Sequence, residues 1–135
     1  MDYNERTEFA IDCFLLAGRI MMESGAETYR VEDTMLRMAH SQGMTSAQSY
    51  VTPTGIIFSL GRTQPTRITS IPNRATNLHR ISLVNTISRK LTSSIITLEE
   101  AYDELKKIEK NNYMLPVFMQ IIAAALASGC FLIMF

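Results

Sequence analysis

Tryptophan is absent from the 135-residue chain, and cysteine occurs only twice, at Cys13 and Cys130. A lone pair so far apart gives no disulfide framework and no sign of an oxidising compartment. Each cysteine reads as a small buried hydrophobe. With His40 and His79 the only histidines, no zinc-ligand spacing exists and no metal is expected. Net charge is also missing: 13 Lys+Arg balance 13 Asp+Glu. That balance excludes a nucleic-acid binder working by bulk positive charge, so no nucleic-acid partner is expected, and it equally excludes an acidic disordered tail. The start, Met1-Asp2-Tyr3-Asn4-Glu5, is acidic and polar, unlike the basic opening of a secretory signal peptide. The chain also lacks both common phosphate-binding glycine patterns, G-x-x-x-x-G-K-[ST] and G-x-G-x-x-G. The most telling absence is local, for residues 111–135 contain no charged side chain at all.

In that last stretch, 19 of 25 residues are apolar. About 20 apolar residues are needed to carry a helix across the hydrocarbon of a bilayer. Leu115 to Phe135 supplies such a run, interrupted only by Pro116, Gln120, Ser128 and Gly129. Proline in a first helical turn costs little. Gln120 and Ser128 cannot build the polar face of a surface helix. The reading is a transmembrane helix over 113–135, attached to a titratable domain over 1–110. Ala125 and Gly129 form a small-x-x-x-small pair that lets another helix approach, so further transmembrane helices are expected beside it. The chain accordingly reads as the front part of a longer, multi-pass membrane protein. Lys106, Lys107 and Lys110, with Arg89 and Lys90 behind them, put the preceding domain on the cytoplasmic side of the cell membrane, the inner membrane in a two-membrane cell.

The front part reads as α+β. Residues 7–22 carry apolar side chains over a wide sector, which predicts a helix buried on most sides. Ser24-Gly25-Ala26-Glu27 matches a capping box, with the Ser24 hydroxyl taking an orphan amide and Glu27 reaching back. It opens a second helix to about His40 that ends at Gly43, with Val31, Met35 and Met38 inward and Arg30, Asp33 and Arg37 outward. The period then falls to two: Ala47–Thr52 and Arg67–Ile71 alternate and Gly55–Leu60 is a short apolar run between them, which predicts a small three-stranded antiparallel sheet covered on one face by two helices. Two more helices follow. Residues 76–92 place Leu78, Ile81, Val84, Ile87 and Leu91 on one stripe. A second capping box, Thr97-Leu98-Glu99-Glu100, opens the last, with Leu98, Ala101, Tyr102, Leu105 and Ile108 inward. Only Asn111-Asn112 separates this helix from the membrane segment.

Chemistry-bearing residues are sparse. Glu27, Glu32 and Asp33 are the one group of carboxylates that could perform acid–base work, with His79 as the nearest candidate partner. That combination describes a membrane-tethered hydrolase. The plainer account gives Glu27 a capping role and pairs the acids with Arg30 and Arg37. His40 and His79 stand alone as surface histidines. Thr52-Pro53-Thr54-Gly55 reads as a turn between strands, with hydroxyls and amides that could hold a small polar ligand. The nine methionines fall mostly on helix stripes and in the apolar segment, as core filler.

Four stretches in register, LAGRIMMESGAETYRVEDTMLRMA (16–39), YVTPTGIIFSL (50–60), NLHRISLVNTISRKL (77–91) and ITLEEAYDEL (96–105), together resemble the threonine/serine exporter family. The resemblance implies a cytoplasmic domain followed by a block of membrane helices, with a second block in the same chain or in a small partner membrane protein. It implies secondary export of small hydroxy amino acids driven by the proton gradient, with no bound cofactor, no enzyme activity and no catalytic residue to carry over. Split members of the same superfamily are associated with succinate, so half of a split dicarboxylate exporter is an alternative. The motif positions Gly25, Glu27, Thr28, Arg30, Glu32, Asp33, Thr52, Thr54, Gly55, His79, Arg80 and Asn85 are candidates for assembly or regulation. Substrate sites of transporters lie near the bilayer midplane, where this chain offers Gln120 and Ser128 as path candidates. The implied partners are the lipid bilayer and neighbouring membrane helices, in a homo- or hetero-oligomer.

Overall fold

A computed structural model describes residues 3–61 and 66–110. The expected span over 113–135, with Gln120 and Ser128, lies outside the described residues. Seven elements follow in the expected order: α1 (Tyr3–Glu23), α2 (Thr28–Ser41), β1 (Gln48–Thr52), β2 (Gly55–Ser59), β3 (Arg67–Ser70), α3 (Leu78–Thr92) and α4 (Leu98–Lys110). The fold is α+β. No helix among the described residues is long and apolar enough to cross a membrane.

The wide apolar sector of α1 makes it the axis of the fold. Ala10, Ile11, Cys13, Phe14, Leu16, Ala17, Ile20, Met21 and Met22 are all buried, shared between the sheet, α2, α3 and α4. Toward the sheet, Phe14 meets Phe58 of β2 edge to face, with centroids 6.0 Å apart. Toward α4, Phe9 lies against Tyr102 at 4.9 Å. Gly18 marks the tightest crossing, since a Cβ there would fall 2.4 Å from the Met35 Sδ of α2. The helix begins at Tyr3, four residues before the expected start. Its first turn is tied to α4 by the Arg6–Glu99 ion pair at 3.1 Å.

The three strands form a meander, β1-β2-β3, antiparallel throughout. The register sets Val51 opposite Ile56 and Phe58 opposite Arg67, so Val51, Ile56 and Phe58 face α1 and α2. On the other face Tyr50, Ile57 and Ile68 stand side by side, exposed. The Arg67–Asp12 pair (3.3 Å) fixes the start of β3 against the middle of α1.

Two local expectations are corrected. Ser24-Gly25-Ala26-Glu27 does not cap α2; it closes α1. Gly25 adopts φ 88°, the Ala26 amide donates to the Met21 carbonyl (3.0 Å) and the Gly25 amide to the Met22 carbonyl (3.1 Å). Glu27 then sits at the N-cap of α2 without a side-chain capping bond. Leu78 is not on the buried stripe of α3. It is its first residue and faces outward, because Asn77 starts the helix two residues later than expected, its side-chain oxygen accepting from the Arg80 amide (3.2 Å). The second capping box forms reciprocally. The Thr97 amide donates to Glu100 Oε1 and the Glu100 amide to the Thr97 hydroxyl, both at 3.2 Å. Gly43, at φ 82°, ends α2 with the same pair of bonds that ends α1, from Met44 to Ala39 and from Gly43 to His40.

Candidate functional site

Chain direction brings most of the motif positions together. Arg6 meets Glu99 near the start of α4 and Arg19 meets Glu109 near its finish, so α1 and α4 run parallel. Tight connections make α2 antiparallel to α1, and α3 antiparallel to α4. The last residues of α1 and α4 therefore lie at the same end as the first turns of α2 and α3. The loop from Pro72 to Asn77 stitches that end. The Ala75 amide donates to the Glu23 carbonyl and the Asn77 amide to the Ser24 carbonyl, both at 2.9 Å. Arg74 reaches across the same junction, donating from Nε to the Met22 carbonyl (3.2 Å) and from Nη2 to the Ala26 carbonyl (2.8 Å). α1 has no basic residue in its own last turn, so this guanidinium from elsewhere bonds its Met22 carbonyl and complements its dipole.

The sheet contributes to the same end. Glu32, on the second turn of α2, accepts the Val51 amide at 2.8 Å. In an antiparallel pair alternate amides point away from the partner strand. Val51 is such a position, and Glu32 satisfies the outer edge of β1 there. The next residues form the hairpin turn. The Thr52 hydroxyl accepts from the Gly55 amide (3.1 Å) and contacts the Gly55 carbonyl (3.2 Å), and the Thr54 carbonyl accepts from Ile71 (2.8 Å). The turn's hydroxyl and amide thus bond to each other. Gly55 also runs close to β3, where an added Cβ would stand 3.2 Å from the Thr69 carbonyl.

Gly25, Glu27, Thr28, Arg30, Thr52, Thr54, Gly55, His79 and Arg80 accordingly gather at one end, with Glu32 a turn behind. Gly25 packs within 3.3 Å of the Thr76 backbone, measured from an ideal Cβ. The Glu27 carboxylate accepts a hydrogen bond from the Tyr29 phenol and raises it above its ordinary pKa. Asp33 stands apart, bonded to Arg37 on the exposed face of α2 at 2.9 Å. Asn85 lies half-buried two turns along α3, and His40 is at the far end of α2. Each carboxylate of the acid–base candidate group is thus engaged in a local bond: Glu27 with Tyr29, Glu32 with a backbone amide, Asp33 with an arginine. Among the described residues no cluster of His, Cys, Asp or Glu could hold a metal ion. Cys13 is buried at mid-helix, and desolvation with the nearby Asp12 and Glu99 charges pushes its thiol up to about 12, far from a nucleophile. A cleft of about 280 Å³ opens beside the stitched loop, lined by Glu23, Pro72, Asn73 and Ala75.

Arg74 and Asn77 carry this junction, and neither was among the sequence candidates. Asn77 could have been found from its place ahead of an apolar stripe, as asparagine is a preferred N-cap. Arg74 had no local signal, because its partners are carbonyls about fifty residues away.

Residues 12–135 match the family model ThrE, described as "Putative threonine/serine exporter". The chain belongs to the threonine/serine exporter family. The match takes in the whole gathered end of the fold and continues without a break through the uncharged segment. The family is one of exporters, which implies membrane association. No curated protein and no solved structure matches the chain at a significant level.

Proposed function

We propose that this chain is the cytoplasmic domain and first membrane-spanning segment of a secondary exporter of threonine and serine. Residues 1–110 form the domain in water, 113–135 cross the cell membrane, and Met1 lies inside the cell. One apolar segment cannot enclose a transport path. The exporter therefore needs further membrane helices, in the same polypeptide or in a small partner protein. The motif-bearing end of the domain acts in assembly or regulation of that membrane part, and the proton gradient supplies the energy.

The observation that carries this reading is the single family match spanning both sides of the charge boundary at Lys110. The fold supports it. Buried Leu105 and Ile108 keep α4 on the core up to its last turn, so the domain leads straight into the uncharged segment. The test is efflux from cells loaded with a threonine dipeptide, with the complete gene present or deleted, and with serine and succinate measured in parallel. Faster threonine and serine efflux when the gene is present is expected. Efflux of succinate alone would reassign the substrate to dicarboxylates, and unchanged efflux of all three would reject the exporter reading.

A further inference from the structure

The end of the domain from which α4 departs has a composition that the core does not explain. Two large apolar side chains are exposed there, Leu78 (73%) in the first turn of α3 and Tyr29 (66%) in the first turn of α2. Around them stand Arg30, Arg80 and Lys110, together with Arg74, which is bonded to the Met22 and Ala26 carbonyls, and Lys106 and Lys107, which are paired with Glu109 and Glu104. The acids at this end are engaged too, Glu32 by the Val51 amide. Glu23 and Glu109 both pair with Arg19, Glu109 also with Lys106 (3.3 Å), Glu27 is bonded by Tyr29, and Glu104, further back, holds Lys107 (3.3 Å). The opposite end has the reverse balance. Glu5, Glu8, Glu99, Glu100 and Asp103 still outnumber Arg6, Arg37, Arg89 and Lys90 there. The end of the domain that meets the uncharged segment is therefore the more basic of the two, although the chain as a whole has zero net charge.

We propose that this basic end lies flat against the bilayer and binds anionic phospholipid headgroups, with Leu78 and Tyr29 entering the interfacial region beside them. The proposal rests on the membrane reading of residues 113–135. With the α4 exit fixed to the core, a bilayer that receives the chain after Lys110 must stand at this end. Cations within a Debye length of about 8 Å of an anionic surface are each attracted to it. A tyrosine with its ring in the acyl boundary and its hydroxyl among headgroups is a typical interfacial anchor. Lysine and arginine stems lie along apolar surface while their charges stay among the phosphates. The charge complementarity favours lipid over an apolar protein partner, which would have to desolvate the same cations.

The full chain, reconstituted in vesicles, tests this. Nitroxide labels go singly at Leu78→Cys, at Ile95→Cys (equally exposed at the opposite end) and at Leu126→Cys, in a background lacking Cys130 and retaining buried Cys13. Collision with oxygen reports lipid, and collision with a soluble nickel chelate reports water. In vesicles of equal phosphatidylcholine and phosphatidylglycerol, the oxygen-to-nickel ratio at position 78 should exceed that at 95 severalfold. It should fall in phosphatidylcholine alone, in high salt, and in the R30Q/K107Q/K110Q variant. A lipid-like value at 126 with equal values at 78 and 95 would overturn the proposal while leaving the membrane segment in place. So would shielding of 78 from both reagents, which would assign the face to a protein contact, or identical values in the two vesicle types. A water-like value at 126 would overturn the membrane reading itself, and this proposal with it.

Discussion

The Ser24 hydroxyl is fully buried beside the α1–α2 turn and, among the described residues, has no hydrogen-bond partner. A buried polar group without a partner carries a desolvation cost of about 1–3 kcal/mol, and removing it recovers part of that. Ser24→Ala should therefore leave stability unchanged or raise it by about 1 kcal/mol. If Ser24 were instead the N-cap of α2, the same change would cost about 1 kcal/mol. Thr97→Ala supplies the comparison, because Thr97 does close a capping box and its loss should cost about 1 kcal/mol. Thermal melting of the detergent-solubilised chain by circular dichroism separates the two, with a lowered midpoint expected for Thr97→Ala and an unchanged or raised one for Ser24→Ala. Cys13 gives a second outcome at this scale. Its thiol is held at about 12 against 9.0 for the free group, so the folded state keeps its proton where the unfolded state ionises. The associated stability is complete below pH 9 and is lost as pH climbs toward 12. With Cys130→Ser to remove the other thiol, iodoacetamide at pH 8 should leave the native chain unmodified at Cys13 and alkylate it only in denaturant.

At the level of the elements, periodicity carried most of the fold, and it failed where two local signals shared the same letters. The apolar stripes of α1, α2 and α4, and the alternation in β1 and β3, were legible because burial imposes a period of 3.6 or 2, while β2 showed as a short apolar run. Ser24-Gly25-Ala26-Glu27 satisfied both a capping box and a helix-ending glycine. The glycine decided it, since a φ of 88° is strained for any side chain. Leu78 matched the stripe of α3 by spacing, but a residue in the first turn projects past the end of the packed interface. Gly18 was legible only as one letter of a family stretch, because its role is a distance to Met35 and Ile56 that no local pattern encodes. Gly18→Ala should force Met35 aside. Overpacking costs ~1–3 kcal/mol, against up to about 1 kcal/mol gained in helix propensity, so net destabilisation of about 1 kcal/mol is expected. Combining it with Met35→Ala should cost less than the two changes summed, by about 1 kcal/mol in a double-mutant cycle. Additive losses would show that the two side chains do not meet.

For the whole molecule, the gathered end was legible as four separated motifs but not as one place. Its assembly depends on helix directions set by the shared core and marked by pairs such as Arg6–Glu99 and Arg19–Glu109, about ninety residues apart. What that end does in the proposed exporter depends on how firmly α4 is held. α4 remains on the core to its last turn through Leu105 and Ile108, and Glu109 is held by both Arg19 and Lys106, so the end of α4 is held stiffly against α1. A domain that regulates export needs that stiffness, whereas one that merely anchors does not. Inserting a short Gly/Ser segment of about six residues after Lys110 adds flexible reach of roughly 12–15 Å and leaves every contact of the fold intact. If the domain gates or assembles the transport path, threonine efflux should fall severalfold at unchanged protein level and unchanged melting of the domain. Efflux equal to that of the parent chain would make the domain a tether, and the convergence of motifs at the α4 exit would then need a cause other than coupling to transport.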